Sequence, residues 1–262
     1  MHALTPIGHR RPMRLATFNI LHGRSPVDQQ VDVDRYAKAI ESLDADVLAL
    51  QEVDRNQTRS AGADLTAIAV DVMDAPEHRF VAALSGNPGA MWMAADGDEQ
   101  PDSAAYGVAL VSRYPVHAWE VVRLAPVPGR VPLRFHGSFA PVMVRDEPRV
   151  AVAALVETPL GATTVVCTHL TFVSWWNGWQ LRRLRRSLED RRPPLVLMGD
   201  LNMGPERAER VSGLRSAVTA PTFPAHAPTE QLDHILVNGV PEGCGEAKAL
   251  PLSDHRALVL DV

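Results

Sequence analysis

Lysine and cysteine are scarce in this chain of 262 residues, and long apolar runs are missing. Lys38 and Lys248 are its only lysines, so arginine supplies most of the 26 basic side chains, which face 31 acidic ones and give a formal net charge of −5. A chain with this balance has no global positive field that would attract nucleic acid. The charge therefore argues against a dedicated DNA-binding protein, although a local basic patch would still serve a nuclease.

The two cysteines, Cys167 and Cys244, lie far apart and form no C-x-x-C pair. This spacing argues against a disulfide framework and against a cysteine-based zinc site. No apolar stretch approaches the roughly 20 residues that span a bilayer, and the first 20 residues lack the apolar core of a secretion signal. We therefore expect a soluble, cytoplasmic protein.

The composition is that of a globular protein, with 46% hydrophobic and 22% charged residues. A chain of this length can bury a substantial core. Neither an internal repeat nor a low-complexity linker divides it. We expect a polar N-terminal tail over residues 1–12 and a single domain over residues 13–262.

Short apolar runs predict a mixed α/β protein of the α+β type. Turn signals at 145–149 and 158–161 predict two hairpins, the first joining 141–144 to 150–156, whereas 85–103 and 125–137 are expected to be irregular. Apolar residues at helical spacing predict helices over 34–43, 64–73 and 179–190. Strands are predicted over 14–20, 46–50, 79–83, 106–112, 162–170, 195–198, 231–237 and 256–262.

Polar side chains suited to catalysis stand at the ends of these apolar runs, where α/β folds place reactive groups. Any one of them has an ordinary structural interpretation as a turn residue, a helix cap, a surface charge or a structural histidine. Their joint occurrence favours a catalytic site instead. The set consists of Asn19, Glu52, His169, Asp200, Asn202, Asp233, Asp254 and His255.

Seven short motifs in order resemble the endonuclease/exonuclease/phosphatase superfamily. This superfamily includes DNase I-like nucleases, exonuclease III-type abasic-site endonucleases, sphingomyelinases and inositol-polyphosphate phosphatases. The resemblance implies a four-layer sandwich, in which two mixed, mainly antiparallel sheets pack face to face with helices outside. The motifs are TFNI (17–20), LQEV (50–53), YGVALVSRYP (106–115), THL (168–170), GDLN (199–202), QLDH (231–234) and SDH (253–255).

The resemblance also implies a divalent metal ion. A phosphodiester is anionic and repels hydroxide, so a hard cation is needed to neutralise charge on its oxygens. Magnesium prefers oxygen ligands and keeps several waters, so that one or two carboxylates suffice. We expect Glu52, helped by Asn19 and Asp254, to hold Mg²⁺, with Mn²⁺ or Ca²⁺ as alternatives.

By the same resemblance, Asp200 is the base or water-positioning group, and Asn202 holds the water or the phosphate. His255 binds or protonates the phosphate, and Asp233 fixes its tautomer. His169 is a second phosphate ligand or proton donor. These roles describe a metal-dependent hydrolase of phosphoester bonds.

Two positions depart from the abasic-site branch. Leu21 stands where those enzymes carry an acidic metal ligand, two positions after the first-strand asparagine. Tyr106 directly precedes Gly107, whereas those enzymes have one residue between them. Tyr106 is therefore either a phosphate contact or a half-buried strand aromatic.

The expected partner is a phosphoester substrate of a small or lipid-derived kind, since loop 85–103 carries four acidic residues and no lysine or arginine. The arginines of 182–192 fit the solvated face of a helix. Trp175, Trp176 and Trp179 could stack on a base, shield a lipid or sugar, or pack the helix. A nuclease acting on nucleic acid is the alternative. A non-catalytic binding scaffold is disfavoured because the whole polar set is present.

Overall fold

Two mixed β-sheets lie face to face with helices on both outer sides in the computed structural model, which describes residues 11–133 and 141–262. The four-layer sandwich that the resemblance implies is confirmed. Residues 1–10 of the expected tail and residues 134–137 of the expected irregular stretch lie outside the described residues.

The first sheet has seven strands, and its parallel pair is β1 with β2. Its strands, from one edge to the other, are β14 (Cys244–Lys248), β15 (Ala257–Asp261), β1 (Arg14–Asn19), β2 (Val47–Arg55), β5 (Ala105–Ser112), β3 (Glu77–Gly86) and β4 (Trp92–Ala94).

The second sheet has six strands, and its parallel pair is β10 with β11. In spatial order the strands are β12 (Arg215–Ser216), β13 (Asp233–Asn238), β11 (Leu195–Asp200), β10 (Gly161–His169), β9 (Arg149–Thr158) and β6 (Val116–Leu124). A separate two-stranded ribbon joins β7 (Arg130–Leu133) to β8 (Val142–Arg145).

The main core lies between the sheets, where alternate side chains of each strand meet. Leu15 and Val47 face Val152 and Val196 in this layer, and all four are buried. Because successive strand residues point to opposite faces, the neighbours of these residues face the helices instead. Every central strand is therefore covered on both sides, which explains the near-continuous apolar runs of the sequence.

Four helices cover the outer faces. Helices α1 (Val33–Leu43) and α2 (Leu65–Met73) begin after Asp32 and Asp64, whose carboxylates accept backbone N–H bonds of the first turn. Both pack on the seven-stranded sheet. Helices α3 (Ser174–Ser187) and α4 (Pro205–Ser212) pack on the six-stranded sheet. Among the described residues, no helix is both long and apolar enough to cross a bilayer.

Three expectations about the elements need correction. The predicted hairpin across 145–149 is wrong, because β8 pairs with β7 while both edges of β9 are occupied by β10 and β6. The two stretches expected to be irregular are not wholly so, since β4 pairs with β3 within 85–103 and β7, within 125–137, pairs with β8. Helix α3 begins five residues before the predicted position 179, because its first turn contains tryptophans rather than the leucines that carried the pattern.

Close packing of β5 on β3 predicts that Gly107 tolerates no side chain. A Cβ at this position would lie 1.9 Å from the carbonyl oxygen of Val81. We expect Gly107→Ala to lower the free energy of unfolding by roughly 2 kcal/mol or more in urea denaturation, as overpacked cores do. Gly204→Ala is the matched control, because its nearest atom, Oε2 of Glu206, is 3.8 Å away. Equal stability of the two variants would contradict this packing.

Candidate active site

The predicted polar residues stand where strand ends of both sheets meet. Asn19 ends β1 beside Gln51, and His169 ends β10 beside Asp200 at the end of β11. Asp233 begins β13 directly opposite Asp200. Nδ2 of Asn19 donates to Oδ2 of Asp200 at 3.0 Å, so that one hydrogen bond joins the two sheets.

The Asp200 carboxylate lies at the centre of the site and is only 2% exposed. Its Oδ1 accepts the backbone N–H of Asn202 at 2.9 Å. Its Oδ2 lies 3.4 Å from Nε2 of His169 and 3.9 Å from Nε2 of His255. Burial raises the pKa of Asp200 above the usual carboxyl range. The group is therefore placed and tuned to take up a proton.

His255 forms a buried pair with Asp233, whose Oδ2 lies 2.8 Å from Nδ1 of the imidazole. Burial alone would lower the pKa of His255, but the charge and hydrogen bond of Asp233 outweigh it and raise the pKa. The ring also lies against Phe223, with centroids 5.0 Å apart. His255 therefore remains an imidazolium near neutral pH and directs Nε2 towards Asp200.

The ring of His169, in contrast to that of His255, is neutral. Burial first, and then the positive charges of Arg149 and His255, lower its pKa well below the usual value. Nη1 of Arg149 lies 3.2 Å from Nδ1 of His169 and can only donate, so Nδ1 is unprotonated. The proton of the neutral ring therefore sits on Nε2, on the side of Asp200.

Glu52 occupies a β-bulge in β2, where the pairing with β5 shifts between Leu50 and Val53. Its backbone has a φ of 56°, a left-handed conformation that is costly for a residue with a side chain. Nδ2 of Asn19 donates to its Oε1 at 3.2 Å. Burial raises the pKa of Glu52, and the charge of Asp254 raises it further. The bulge thus turns a carboxylate towards other negative groups.

Asp254 and Asn202 lie half-buried beside these groups. Asp254 precedes His255 in a loop held by Ser253, whose Oγ donates to the carbonyl of Asn19 at 2.6 Å. Asn202 has a φ of 50°, and its Nδ2 donates to the carbonyl of Leu170 at 3.0 Å. Backbone contacts therefore hold the Asn202 side chain and the loop that carries Asp254.

Tyr106 is buried beneath a cation. Its ring lies 5.7 Å from the Trp92 ring, and the Arg59 guanidinium lies 5.2 Å from its centroid. Asp54 holds Arg59 through two hydrogen bonds of 2.7 and 2.8 Å. Burial, followed by the charge of Glu52, raises the pKa of Tyr106, so its hydroxyl stays protonated.

The structure brings all nine predicted residues to this one edge of the sandwich. Sequence reasoning missed Arg149, which is 6% exposed and contacts His169, and it missed the Asp54–Arg59 pair above Tyr106. The available signal for Arg149 was an arginine at the first position of a long buried strand. Such a charge is rarely buried without a role.

Comparison with known proteins agrees with this geometry. The family model described as "Endonuclease/Exonuclease/phosphatase family" matches residues 16–255. No curated protein sequence matches the chain significantly. Among solved structures, the chain is similar in fold to an endonuclease/exonuclease/phosphatase from Beutenbergia cavernae, with a TM-score of 0.67, 20% identity, and coverage of 96% of this chain and 71% of the other.

Two further structures share the fold. Sphingomyelinase C from Streptomyces griseocarneus has a TM-score of 0.63 at 17% identity, over 97% of this chain and 100% of its own. A variant of beta toxin from Staphylococcus aureus with bound magnesium ions has a TM-score of 0.65 at 14% identity, over 95% and 99% of the two chains. At these identities the likeness concerns the fold alone.

The His255–Asp233 pair predicts a titration that NMR can follow. In the unsubstituted protein we expect the His255 imidazole to titrate above the usual histidine value of about 6.5. In Asp233→Asn the charge is lost and burial remains, so the pKa should fall below that value. The His169 ring should stay neutral in both proteins and serves as an internal reference. A His255 titration unchanged by the substitution would rule out Asp233 as the cause.

Proposed function

Because the chain belongs to the endonuclease/exonuclease/phosphatase family, we propose that it is a divalent-metal-dependent phosphoesterase. It hydrolyses a small or lipid-derived phosphodiester or phosphomonoester by in-line attack of water. The observation that supports this proposal is the position of Asp200 between a neutral imidazole and an imidazolium. Its Oδ2 lies 3.4 Å from Nε2 of His169 and 3.9 Å from Nε2 of His255. The carboxylate of Asp200, a proton acceptor, thus lies beside two imidazoles that can donate hydrogen bonds to a phosphate.

Asp200 is the proposed acceptor of the water proton. A carboxyl with a raised pKa is a better base than an ordinary one at neutral pH. Asn19 donates to the Oδ2 atom, and the backbone of Asn202 donates to Oδ1, so the carboxylate cannot rotate. In the reaction, one O–H bond of water and the P–O bond to the leaving group break, while a new P–O bond and the O–H bond of the product alcohol form.

His255, His169 and Arg149 are the proposed ligands of the phosphoryl oxygens. The imidazolium of His255 offers Nε2–H, stabilised by Asp233 behind it. Neutral His169 offers its own Nε2–H. Arg149 adds a buried positive charge whose Nε has no hydrogen-bond partner within the described residues. These donors are held before substrate arrives, so that stabilising the anionic transition state requires little rearrangement.

The family's divalent cation fits the oxygen groups around Glu52. The charge of Asp254 raises the pKa of Glu52. The side-chain oxygens of these two carboxylates, with Oδ1 of Asn19, are a ligand set suited to Mg²⁺ and also to Mn²⁺ or Ca²⁺. When bound, such a cation neutralises charge on the phosphoryl oxygens. We assign Glu52, Asn19 and Asp254 as the residues that would hold it.

A second set of atoms is also close enough for a cation. Single ligand atoms of Asp200, Asp233 and His255 lie within 4.8 Å of one another. Asp233 and His255 already bind each other at 2.8 Å, however, and the imidazolium of His255 would repel a cation. The Glu52 side of the site is therefore the better choice.

The surroundings of the site support a small or lipid-derived substrate over duplex DNA. Apolar side chains are exposed directly before β4 at Met91, on β4 at Met93, and after His169 at Phe172 and Trp175. One protein of the same fold is a sphingomyelinase C. These features favour a lipid-derived phosphoester as the first substrate to test.

Substitution of Asp200 or His255 tests the proposed reaction. We expect Asp200→Asn and His255→Ala to reduce kcat by at least about 100-fold, the usual scale of a lost proton-transfer group. The assay uses bis(p-nitrophenyl) phosphate, sphingomyelin vesicles and supercoiled plasmid, each with magnesium and with EDTA. His117→Ala is the matched control, because His117 is exposed and pairs with Glu157 elsewhere. Activity retained in a folded Asp200→Asn protein would remove Asp200 from the mechanism, and hydrolysis of plasmid alone would identify a nuclease.

Glu52→Gln tests the proposed cation site by binding rather than by turnover. The substitution keeps the shape of the side chain and removes its charge, so we expect the affinity for Mg²⁺ in isothermal titration calorimetry to fall at least about tenfold. Asp71→Asn, on the exposed side of α2, controls for a general loss of negative charge. An unchanged titration of the Glu52→Gln protein would exclude Glu52 as a ligand.

A further inference from the structure

A cleft of about 650 Å³ opens between the outer strands of the two sheets. One wall is β3, whose residues before Leu84 pair, within the described part of the chain, with no strand on their outer side, and the other wall is β6, the last strand of its sheet. Residues assigned to the catalytic site are absent from its lining. We call this feature the arginine cleft, since Arg55, Arg79, Arg123 and Arg183 line it.

These four arginines come from four different elements or their ends. Arg55 ends β2, Arg79 lies in β3, Arg123 lies in β6 and Arg183 lies in α3. Within residues 11–133 and 141–262, none of them forms an ion pair. The tertiary structure therefore brings together four positive charges, none of them in an ion pair, that are scattered over 129 positions of the sequence.

Two of the guanidinium groups are held by the walls of the cleft. Nη1 of Arg123 donates to the carbonyl of Ala82 at 3.2 Å, which joins β6 to β3. Arg55 stacks over the Phe80 ring at 4.9 Å from its centroid. Side chains held in this way lose less entropy when they bind a ligand.

The acidic side chains of the cleft do not cancel this charge. Glu120 is paired with Arg191 at 2.5 Å, outside the arginine set. Glu99 accepts the backbone N–H groups of Asp96 and Gly97 at 2.7 and 3.0 Å. Four guanidinium groups thus face the two carboxylates of Asp96 and Glu99, and the balance is positive.

We propose that the arginine cleft binds a small polyanion that carries two or more phosphate groups. Guanidinium groups form paired hydrogen bonds with phosphate, and they are preferred over lysine where that geometry matters. The volume lies in the range of small-ligand sites and exceeds what one phosphate ion fills. This binding is separate from the proposed hydrolysis and does not depend on it.

Isothermal titration calorimetry with tripolyphosphate tests the proposal. The full chain is used in EDTA and low salt, so that neither metal nor turnover contributes. We expect saturable binding by the unsubstituted protein and at least about tenfold weaker binding by the double variant Arg123→Gln with Arg183→Gln. Both side chains are exposed, so the variant should fold. Arg182→Gln is the matched control, since Arg182 is the neighbouring exposed arginine of α3 and does not line the cleft.

Further measurements distinguish binding in the arginine cleft from binding elsewhere. Absence of binding by the unsubstituted protein, or equal binding by the double variant and the Arg182→Gln control, overturns the proposal. Loss of binding in Arg149→Gln but not in the double variant also overturns it, because the anion then occupies the catalytic site. Phosphatidylcholine vesicles containing phosphatidylinositol bisphosphate distinguish the source of the phosphate groups: co-sedimentation lost in the double variant identifies a lipid headgroup, and binding of tripolyphosphate alone identifies a soluble ligand.

Discussion

The hydrogen bond from Asn19 to Asp200 is the contact on which the site depends. It is 3.0 Å long and joins the end of β1 in one sheet to the end of β11 in the other. Two packed sheets stand roughly 10 Å apart, so short side chains can meet across them only if the apolar layer between is tightly filled. The spacing of the catalytic groups is thus a consequence of core packing, and the same amide of Asn19 also reaches Glu52 at 3.2 Å.

Burial acts on the pKa of Asp200, His169 and His255, but the result differs with the neighbouring charge. Asp200 has a raised pKa because burial disfavours its anion. His169 has a lowered pKa because burial and a neighbouring arginine both disfavour its cation. Burial would also lower the pKa of His255, but the charge and hydrogen bond of Asp233 outweigh burial and raise it. Groups whose pKa values are pushed in opposite directions within a few ångströms can divide the tasks of base and cationic ligand between them.

The distribution of charge over the molecule is uneven in a way that the net charge of −5 conceals. The loop beyond β4 is acidic and contributes Asp96 and Glu99 to the arginine cleft, where four arginines outnumber them. Exposed apolar side chains, including Trp175 at 61% exposure, follow His169 of the candidate site in the chain. Local surfaces rather than the net charge therefore decide where a phosphate-bearing ligand is attracted.

The sequence alone determined the layered architecture, the helices near 34–43 and 64–73, and the polar residues at strand ends such as Asn19, His169 and Asp200. The helices and the polar residues at strand ends follow from local patterns, since an apolar run that ends in a polar residue can be recognised within about ten positions. The layered architecture follows from the resemblance of the seven motifs to the family. The pairing of β8 with β7, the contact of Arg149 with His169, and the arginine cleft were decided only by the tertiary structure. Each of these features joins residues that are distant in the chain. They depend on which strand edges are free and on how far side chains extend, and neither property leaves a periodic signal in the sequence.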